Sequence, residues 1–173
     1  LMNEQKERAR AARGNISGWS DSSKDLLAKL PVTDFVGYDN IECEATLLSI
    51  IADGEAVDSI NEGECSLVFD KTVFYGEGGG QVGDSGAIFC DEFNNFAVTD
   101  VKKSSGGVFT HFGTVTSGTI SVGDTVTVDL NVVRRDMIRR NHTAAHLLQA
   151  GLRAVLGTHV EQAGQLVNEN AVR

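Results

Sequence analysis

Short apolar runs separated by turns dominate the chain between residues 41 and 130. The first two runs flank Asp53-Gly54, a dipeptide typical of a two-residue β-hairpin turn. The runs that follow are CSLVFD, GAIFC, NNFAVTDVKK, GVFTHFGTV and DTVTVDL, with glycine-rich or Ser-Gly turns between them. Several short strands at this spacing predict a small antiparallel β-barrel.

The period of the apolar pattern changes after this region. Asn131 is a suitable N-cap and Gly157 a suitable left-handed stop, so residues 132–156 are predicted to form a helix. Its polar stripe consists of Arg135, Arg139, His142, His146, Gln149 and Arg153. The apolar stripe beside it consists of Ala145, Leu148, Leu152 and Val155. The residues that follow the helix, THVEQAGQLV, alternate in the manner of a strand.

These patterns predict an α+β protein in three parts. Residues 1–34 form a helical linker, with a charged helix at 2–13 and a second short helix within 20–30. Residues 35–131 form the barrel, which carries a glycine-rich motif. Residues 132–173 begin a second α+β unit, and we expect this unit to be incomplete because no closing element follows the helix.

Composition limits the classes of function. The formal net charge of −9 argues against indiscriminate nucleic-acid binding, but Arg134, Arg135, Arg139 and Arg140 lie close enough together for a local phosphate contact. No apolar run approaches the ~18 residues of a membrane span, so no membrane partner is expected. The three cysteines are widely spaced and include no CxxC pair, which favours a reducing cytoplasm over a disulfide framework.

Two histidines, His142 and His146, stand four residues apart on the predicted helix, which places them on one face about 6 Å apart. They are either two polar residues of an exposed stripe or part of a metal site. A zinc site needs at least three protein ligands, and no cysteine pair lies nearby. Thr143 stands where a metalloprotease HExxH motif would have its glutamate. The spacing alone leaves both interpretations open.

The motif FYGEGGGQVGDSG, residues 74–86, has three consecutive glycines followed by Gln81. Such a run indicates either backbone that closely approaches a ligand or another chain segment, or a barrel turn with bulges. It is not a nucleotide-binding P-loop, because it lacks the GxxxxGK[ST] pattern and opens no helix.

Taken together, these segments resemble alanyl-tRNA synthetase. TVFYGEGGGQVGDSGAI, NHTAAHLLQAGLRAVLGTHVEQAGQLV and the leading NEQKERARAA follow the order and spacing of its editing region. Freestanding alanyl-editing proteins and, more distantly, the threonyl-tRNA synthetase editing domain share this region. The resemblance implies a translation-protein-like β-barrel, followed by the start of a truncated threonyl/alanyl-tRNA synthetase common domain.

The resemblance also implies site residues. His142 and His146 match an HxxxH motif that supplies half of a zinc site, and the other half, CxxxH, lies downstream of residue 173. Gln162 and Thr72 match catalytic-site residues that remove the wrong amino acid and help to distinguish serine from alanine. The expected substrate-binding residues, for the acceptor end of tRNA(Ala), are Gly78, Gly79, Gly80, Gln81, Arg139 and Arg140.

A second, hydrolytic site would improve the discrimination between alanine and serine. An apolar pocket sized for alanine rejects one extra hydroxyl only about 10²-fold, whereas a site that hydrogen-bonds serine can discriminate further. Because the substrate is an ester, a positioned water suffices without a Ser or Cys nucleophile. The two arginines Arg139 and Arg140 would contact phosphates. The competing interpretation is that they are solvent-exposed residues near the start of the helix and bind no ligand.

The leading hypothesis is therefore a fragment of a cytoplasmic alanine–tRNA ligase that helps to hydrolyse Ser-tRNA(Ala) and Gly-tRNA(Ala). The parent would use ATP and magnesium in a different domain. A freestanding editing hydrolase and a non-catalytic RNA-binding module are the alternatives, and the sequence does not predict the oligomeric state. We expect the 173-residue chain to bind zinc weakly, to deacylate poorly, and to expose Leu148, Leu152 and Val155.

Overall fold

The computed structural model describes residues 25–173. The helix expected at 2–13 and the start of the one expected within 20–30 lie outside the described residues. Residues 25–27 are helical and lead into a turn before Pro31. Leu27 is buried against Ile51, Val68 and Val108, so this segment packs on the outside of the sheet.

The strands of the described residues are β1 (Asp34–Phe35), β2 (Glu42–Ala52), β3 (Glu55–Val57), β4 (Ser59–Ile60), β5 (Glu64–Phe69), β6 (Lys71–Thr72), β7 (Gly86–Phe89), β8 (Asn95–Lys103), β9 (Phe109–Ser117), β10 (Ile120–Ser121) and β11 (Thr125–Leu130). One long helix, α1 (Val132–Leu156), follows them.

Six strands close into an antiparallel barrel in the order β11-β7-β8-β9-β5-β2, and β2 returns to β11. Closure depends on β2, because residues 42–46 pair with β11 while residues 47–51 pair with β5. A register shift between Leu47 and Ser49 marks a bulge that lets one strand serve two neighbours. The predicted small antiparallel barrel is confirmed.

The hairpin predicted at Asp53-Gly54 joins β2 to β3 and is also confirmed. Both turn residues have positive φ, 51° for Asp53 and 85° for Gly54, as a type I′ turn requires. Inside the barrel, alternate residues of the strands meet in one apolar cluster. Its fully buried members include Leu47, Ile50, Leu67, Phe69, Phe74, Ile88, Phe96 and Val128. Each such side chain stabilises the fold by about 1.5–3 kcal/mol relative to its exposed state.

Helix α1 has the predicted bounds. The side chain of Asn131 accepts a hydrogen bond from the backbone N–H of Arg134 at 3.1 Å, which caps the first turn. Gly157 ends the helix, and its N–H donates to the Arg153 carbonyl. Its φ of 111° is positive, which favours glycine, but its ψ of 167° lies outside the left-handed helical region, so the expected left-handed stop is wrong in conformation although right in position.

The strand expected at THVEQAGQLV is wrong. Residues 158–166 are irregular, and within this stretch of sequence only Val167 forms β-bridges, to Gln81 and Val172. Alternation predicts a strand only where a neighbour can accept the backbone hydrogen bonds, and no strand of residues 25–157 lies beside this segment.

Helix α1 touches the rest of the described structure mainly through its first half, where Ile138 is its buried residue. Farther along, Leu148, Leu152 and Val155 are 58%, 38% and 82% exposed, so the expected exposure of the apolar stripe is confirmed. Within residues 25–173, no helix combines the length and hydropathy needed to span a membrane.

Candidate functional site

The glycine-rich motif folds into a tight turn. Gly78 and Gln81 exchange two backbone hydrogen bonds of 3.1 and 2.9 Å across Gly79 and Gly80. The φ angles of Gly79 and Gly80 are 59° and 85°, the values of a type I′ turn. A Cβ on Gly80 would lie 2.4 Å from the Gln165 carbonyl oxygen. The close approach expected of these glycines is therefore made to the chain's own C-terminal segment.

Residues 166–173 form a hairpin that docks on this turn. Leu166 and Arg173 exchange backbone hydrogen bonds, and the side chain of Asn168 accepts from the N–H groups of Asn170 and Ala171. Val167 N–H donates to the Gly80 carbonyl at 2.7 Å, and its carbonyl accepts from Val82 N–H at 3.0 Å. The hairpin thereby extends the glycine turn towards α1.

A polar cluster forms where the glycine turn meets α1. The Oε1 atom of Gln81 lies 2.6 Å from Nδ1 of His142. The rings of His142 and His146 stack, with centroids 4.9 Å apart and planes inclined by 25°. Gln162 Nε2 donates to Gln165 Oε1 at 2.8 Å, and Gln165 Nε2 donates to the Gly79 carbonyl. We call these five side chains (Gln81, His142, His146, Gln162 and Gln165) the glutamine–histidine cluster.

The cluster can supply part of a metal site. Imidazole nitrogens are common zinc ligands, and the stacked rings of His142 and His146 leave both on one helix face. Among residues 25–173, however, no three His, Cys, Asp or Glu side chains are grouped to hold a metal. The described chain therefore offers two donors of suitable chemistry, fewer than the three that a protein zinc site uses.

Thr72 does not join the cluster. Its side chain is fully buried within the barrel, and its Oγ1 lies 2.8 Å from Nε2 of His111. The Phe74 N–H donates to the same oxygen at 3.1 Å. Both of these partners of the Thr72 hydroxyl lie inside the barrel, and neither belongs to the glutamine–histidine cluster.

His111 was not anticipated as a site residue. Its Nδ1 lies 3.1 Å from the Leu67 carbonyl, which can only accept, so Nδ1 carries the hydrogen and Nε2 accepts from Thr72. Burial lowers the pKa of His111 to about 4, against an ordinary 6.5. The signal was present in GVFTHFGTV, because period-two alternation puts His111 on the same side of β9 as Phe109 and Val115.

The four arginines near the start of α1 divide into two pairs. Arg135 forms an ion pair with the buried carboxylate of Asp84 and also donates to the Gly37 and Val73 carbonyls at 3.0 and 2.8 Å. Arg134 donates to the Gly83 carbonyl at 2.8 Å. These two fix the helix to the barrel, so the expected phosphate contact does not extend to them.

Arg139 and Arg140 remain at the surface. Arg139 is paired with Asp136 at 3.6 Å, with side chains 73% and 52% exposed, and Arg140 donates to the Asp136 carbonyl at 3.2 Å. Arg139 and Arg140 lie on the helix turn that precedes His142.

Gly80→Ala is expected to detach the hairpin of residues 166–173, because the new methyl group would clash with the Gln165 carbonyl. Gly79→Ala is the matched control, since it incurs a similar positive-φ strain of about 1–3 kcal/mol but meets no atom within 4 Å. Amide hydrogen exchange at Val82 and Val167 should be about tenfold faster in the first variant than in the second. Equal rates would show that the clash is relieved locally.

Comparison with known proteins gives the family. Residues 1–134 match the family model of class II tRNA synthetases (A). The chain is 40% identical over 181 residues to an alanine–tRNA ligase of Rhodopseudomonas palustris, an alignment that covers 99% of this chain and 20% of the relative. The chain belongs to the alanyl-tRNA synthetases. It spans about a fifth of the length of the alanine–tRNA ligase it matches. The family model ends within the first turn of α1, so the histidines lie in the part that only the alanine–tRNA ligase alignment covers.

Proposed function

We propose that this alanyl-tRNA synthetase segment contributes to editing in the cytoplasm, by hydrolysing Ser-tRNA(Ala) and Gly-tRNA(Ala). The observation that carries the proposal is the convergence of two distant motifs. Gln81 of the glycine turn contacts His142 of the helix, 61 positions away. Gln162 is tied to the same turn through Gln165. In the parent enzyme, alanine would be attached with ATP and magnesium in a different domain.

The chemistry suits an ester at the 3′ end of tRNA. Its hydrolysis requires a positioned water and polar groups that recognise the aminoacyl part. The amide of Gln162 is exposed beside the glycine turn and can hydrogen-bond a serine hydroxyl, whereas alanine has no group to pair with it. For Ser-tRNA(Ala), sites that hydrogen-bond a substrate hydroxyl reject the alanine analogue that lacks it by up to about 10⁴–10⁵-fold. This contact explains the recognition of serine alone, since glycine also lacks a hydroxyl. Thr72, which the family resemblance assigns to distinguishing serine from alanine, would act from inside the barrel, where its hydroxyl contacts His111.

His142 and His146 would hold a zinc ion together with ligands from downstream of residue 173. When bound, zinc would act as a Lewis acid that polarises the ester carbonyl or anchors the substrate. Gly78, Gly79, Gly80 and Gln81 would contact the aminoacyl end of the substrate, because Gln81 of this turn contacts His142.

The proposal is tested with the complete enzyme. Gln162→His is expected to slow hydrolysis of Ser-tRNA(Ala) while alanine charging stays unchanged. Asn61→His is the control, because it adds the same imidazole at an exposed position of the loop between β4 and β5. Unchanged deacylation in the Gln162 variant would remove this residue from the site. Tight tRNA binding by a wild-type enzyme without deacylation would favour a non-catalytic RNA-binding module.

Arg139 and Arg140 are expected to contact acceptor-stem phosphates without reading base identity. Replacing both with glutamine should weaken tRNA binding for every acceptor sequence and flatten its salt dependence by about one unit of slope per lost contact. Arg153→Gln provides a control from the last turn of the helix. Dissociation constants measured across a salt series give the slope, and an identical slope in the double variant would favour a solvated helix start.

A further inference from the structure

Gln81 holds its side chain in a fixed position. Only 7% of the residue is exposed, although most glutamines lie at the surface. Its backbone is held on both sides, by two hydrogen bonds to Gly78 and by the bridge to Val167. The amide therefore meets His142 as a preformed partner.

The contact defines which nitrogen of His142 carries the hydrogen. Gln81 presents its Oε1 to Nδ1 at 2.6 Å, and an amide oxygen can only accept. Nδ1 is then the donor, and the neutral ring keeps a free lone pair on Nε2. Histidines that bind metals through one nitrogen commonly donate the other N–H to an acceptor, which sets the tautomer and the orientation of the ring.

We propose that Gln81 is a positioning residue for His142: it selects the Nδ1–H tautomer and leaves Nε2 as the nitrogen available to a divalent zinc ion. The zinc part rests on the proposed function, whereas the tautomer can be measured without metal. This assignment also explains the glycine-rich turn. The positive φ angles of Gly79 and Gly80 let the chain turn so that the Gln81 side chain reaches His142 of α1.

The test uses the 173-residue chain with ¹⁵N-labelled histidine, at a pH of about 8 where an ordinary imidazole is neutral. Long-range ¹H–¹⁵N spectra should show His142 of the wild type as the Nδ1–H form. Gln81→Met, which keeps the length but removes the acceptor, should convert it to the Nε2–H form. Gln81→Glu restores an acceptor and should return the Nδ1–H form.

Gln165→Met is the matched control, because Gln165 contacts Gly79 and Gln162 but not His142. It should leave the His142 spectrum unchanged while its own contacts are lost. An Nε2–H form of His142 in the wild type, or an unchanged form in Gln81→Met, would overturn the proposal. The second result would show that a different feature sets the tautomer, and the first that the Gln81 amide donates instead.

Zinc alone is the probe in the second part of the test. Added Zn²⁺ should shift Nε2 of His142, and Gln81→Met should weaken this binding by about 10–100-fold. A shift at Nδ1 would overturn the proposal. If the tautomer follows the acceptor as expected but zinc shifts neither imidazole, the Gln81 assignment stands and the zinc half-site of the proposed function fails.

Discussion

Arg135→Met is expected to lower the free energy of unfolding by about 3–5 kcal/mol, the usual cost of removing one partner from a buried ion pair. The side chain of Asp84 is 1% exposed, and its remaining hydrogen bond comes from the Tyr75 N–H. The same substitution leaves the Gly37 and Val73 carbonyls without their arginine donor. Urea unfolding, followed by circular dichroism, measures the loss.

Two further variants distinguish the destabilisation caused by an unpaired buried charge from a general destabilisation of the helix. Arg139→Met removes an exposed ion pair and should cost no more than about 1 kcal/mol. Adding Asp84→Asn to Arg135→Met should recover much of the loss, since a neutral amide can still accept from Tyr75 without an unpaired charge. A loss below about 1 kcal/mol for Arg135→Met alone would mean that water reaches Asp84 once the arginine is gone.

The stability of the chain is expected to fall as the pH is lowered from 6.5 to about 4, in part because of His111. Its pKa is lowered to about 4 in the folded state by burial, against an ordinary 6.5. Between these values the unfolded state binds a proton that the folded state excludes, so acid favours unfolding. Above 6.5 both states are neutral and His111 contributes no pH dependence. The expected slope is about 1.4 kcal/mol per pH unit, or about 3 kcal/mol over the window.

His111→Gln should flatten this part of the stability profile, because glutamine does not titrate but can still donate to the Leu67 carbonyl. Since carboxylates also titrate in this range, the informative quantity is the difference between the two profiles. His159→Gln, at an exposed histidine, should leave the slope unchanged. Parallel profiles for the wild type and His111→Gln would mean that His111 has the same pKa in the folded and unfolded states.

The barrel and the helix could be predicted because each has a strong local period. Alternation and glycine turns identified the strands, and a cap, a 3.6-residue period and a terminal glycine identified α1. THVEQAGQLV shows the limit of this reasoning, since its alternation has no neighbouring strand to pair with. A local sequence pattern indicates which secondary structure a segment can form, but the structure that it adopts also depends on the neighbouring segments.

The site could be predicted in its parts but not in its connections. The glycine turn and HxxxH were recognisable as motifs, yet the hydrogen bond from Gln81 to His142 joins residues 61 positions apart. The polar stripe of α1 indicated a solvated face, whereas Arg135 is largely buried against Asp84. The resemblance assigns Thr72 to the catalytic site, and only the tertiary structure places its hydroxyl beside His111.

A single residue, Asn131, separates the strand that closes the barrel from the helix that carries the histidines. The direction in which each side chain of α1 points is therefore set by where β11 stops. One amino acid inserted at this junction would turn the whole helix by about 100°, which would move His142 away from Gln81 and Arg135 away from Asp84 together. By contrast, Ser105 and Gly106 lie in an exposed hairpin loop, where an added residue would change only the loop. The number of residues between β11 and α1 is therefore as important for these contacts as the identity of the side chains that make them.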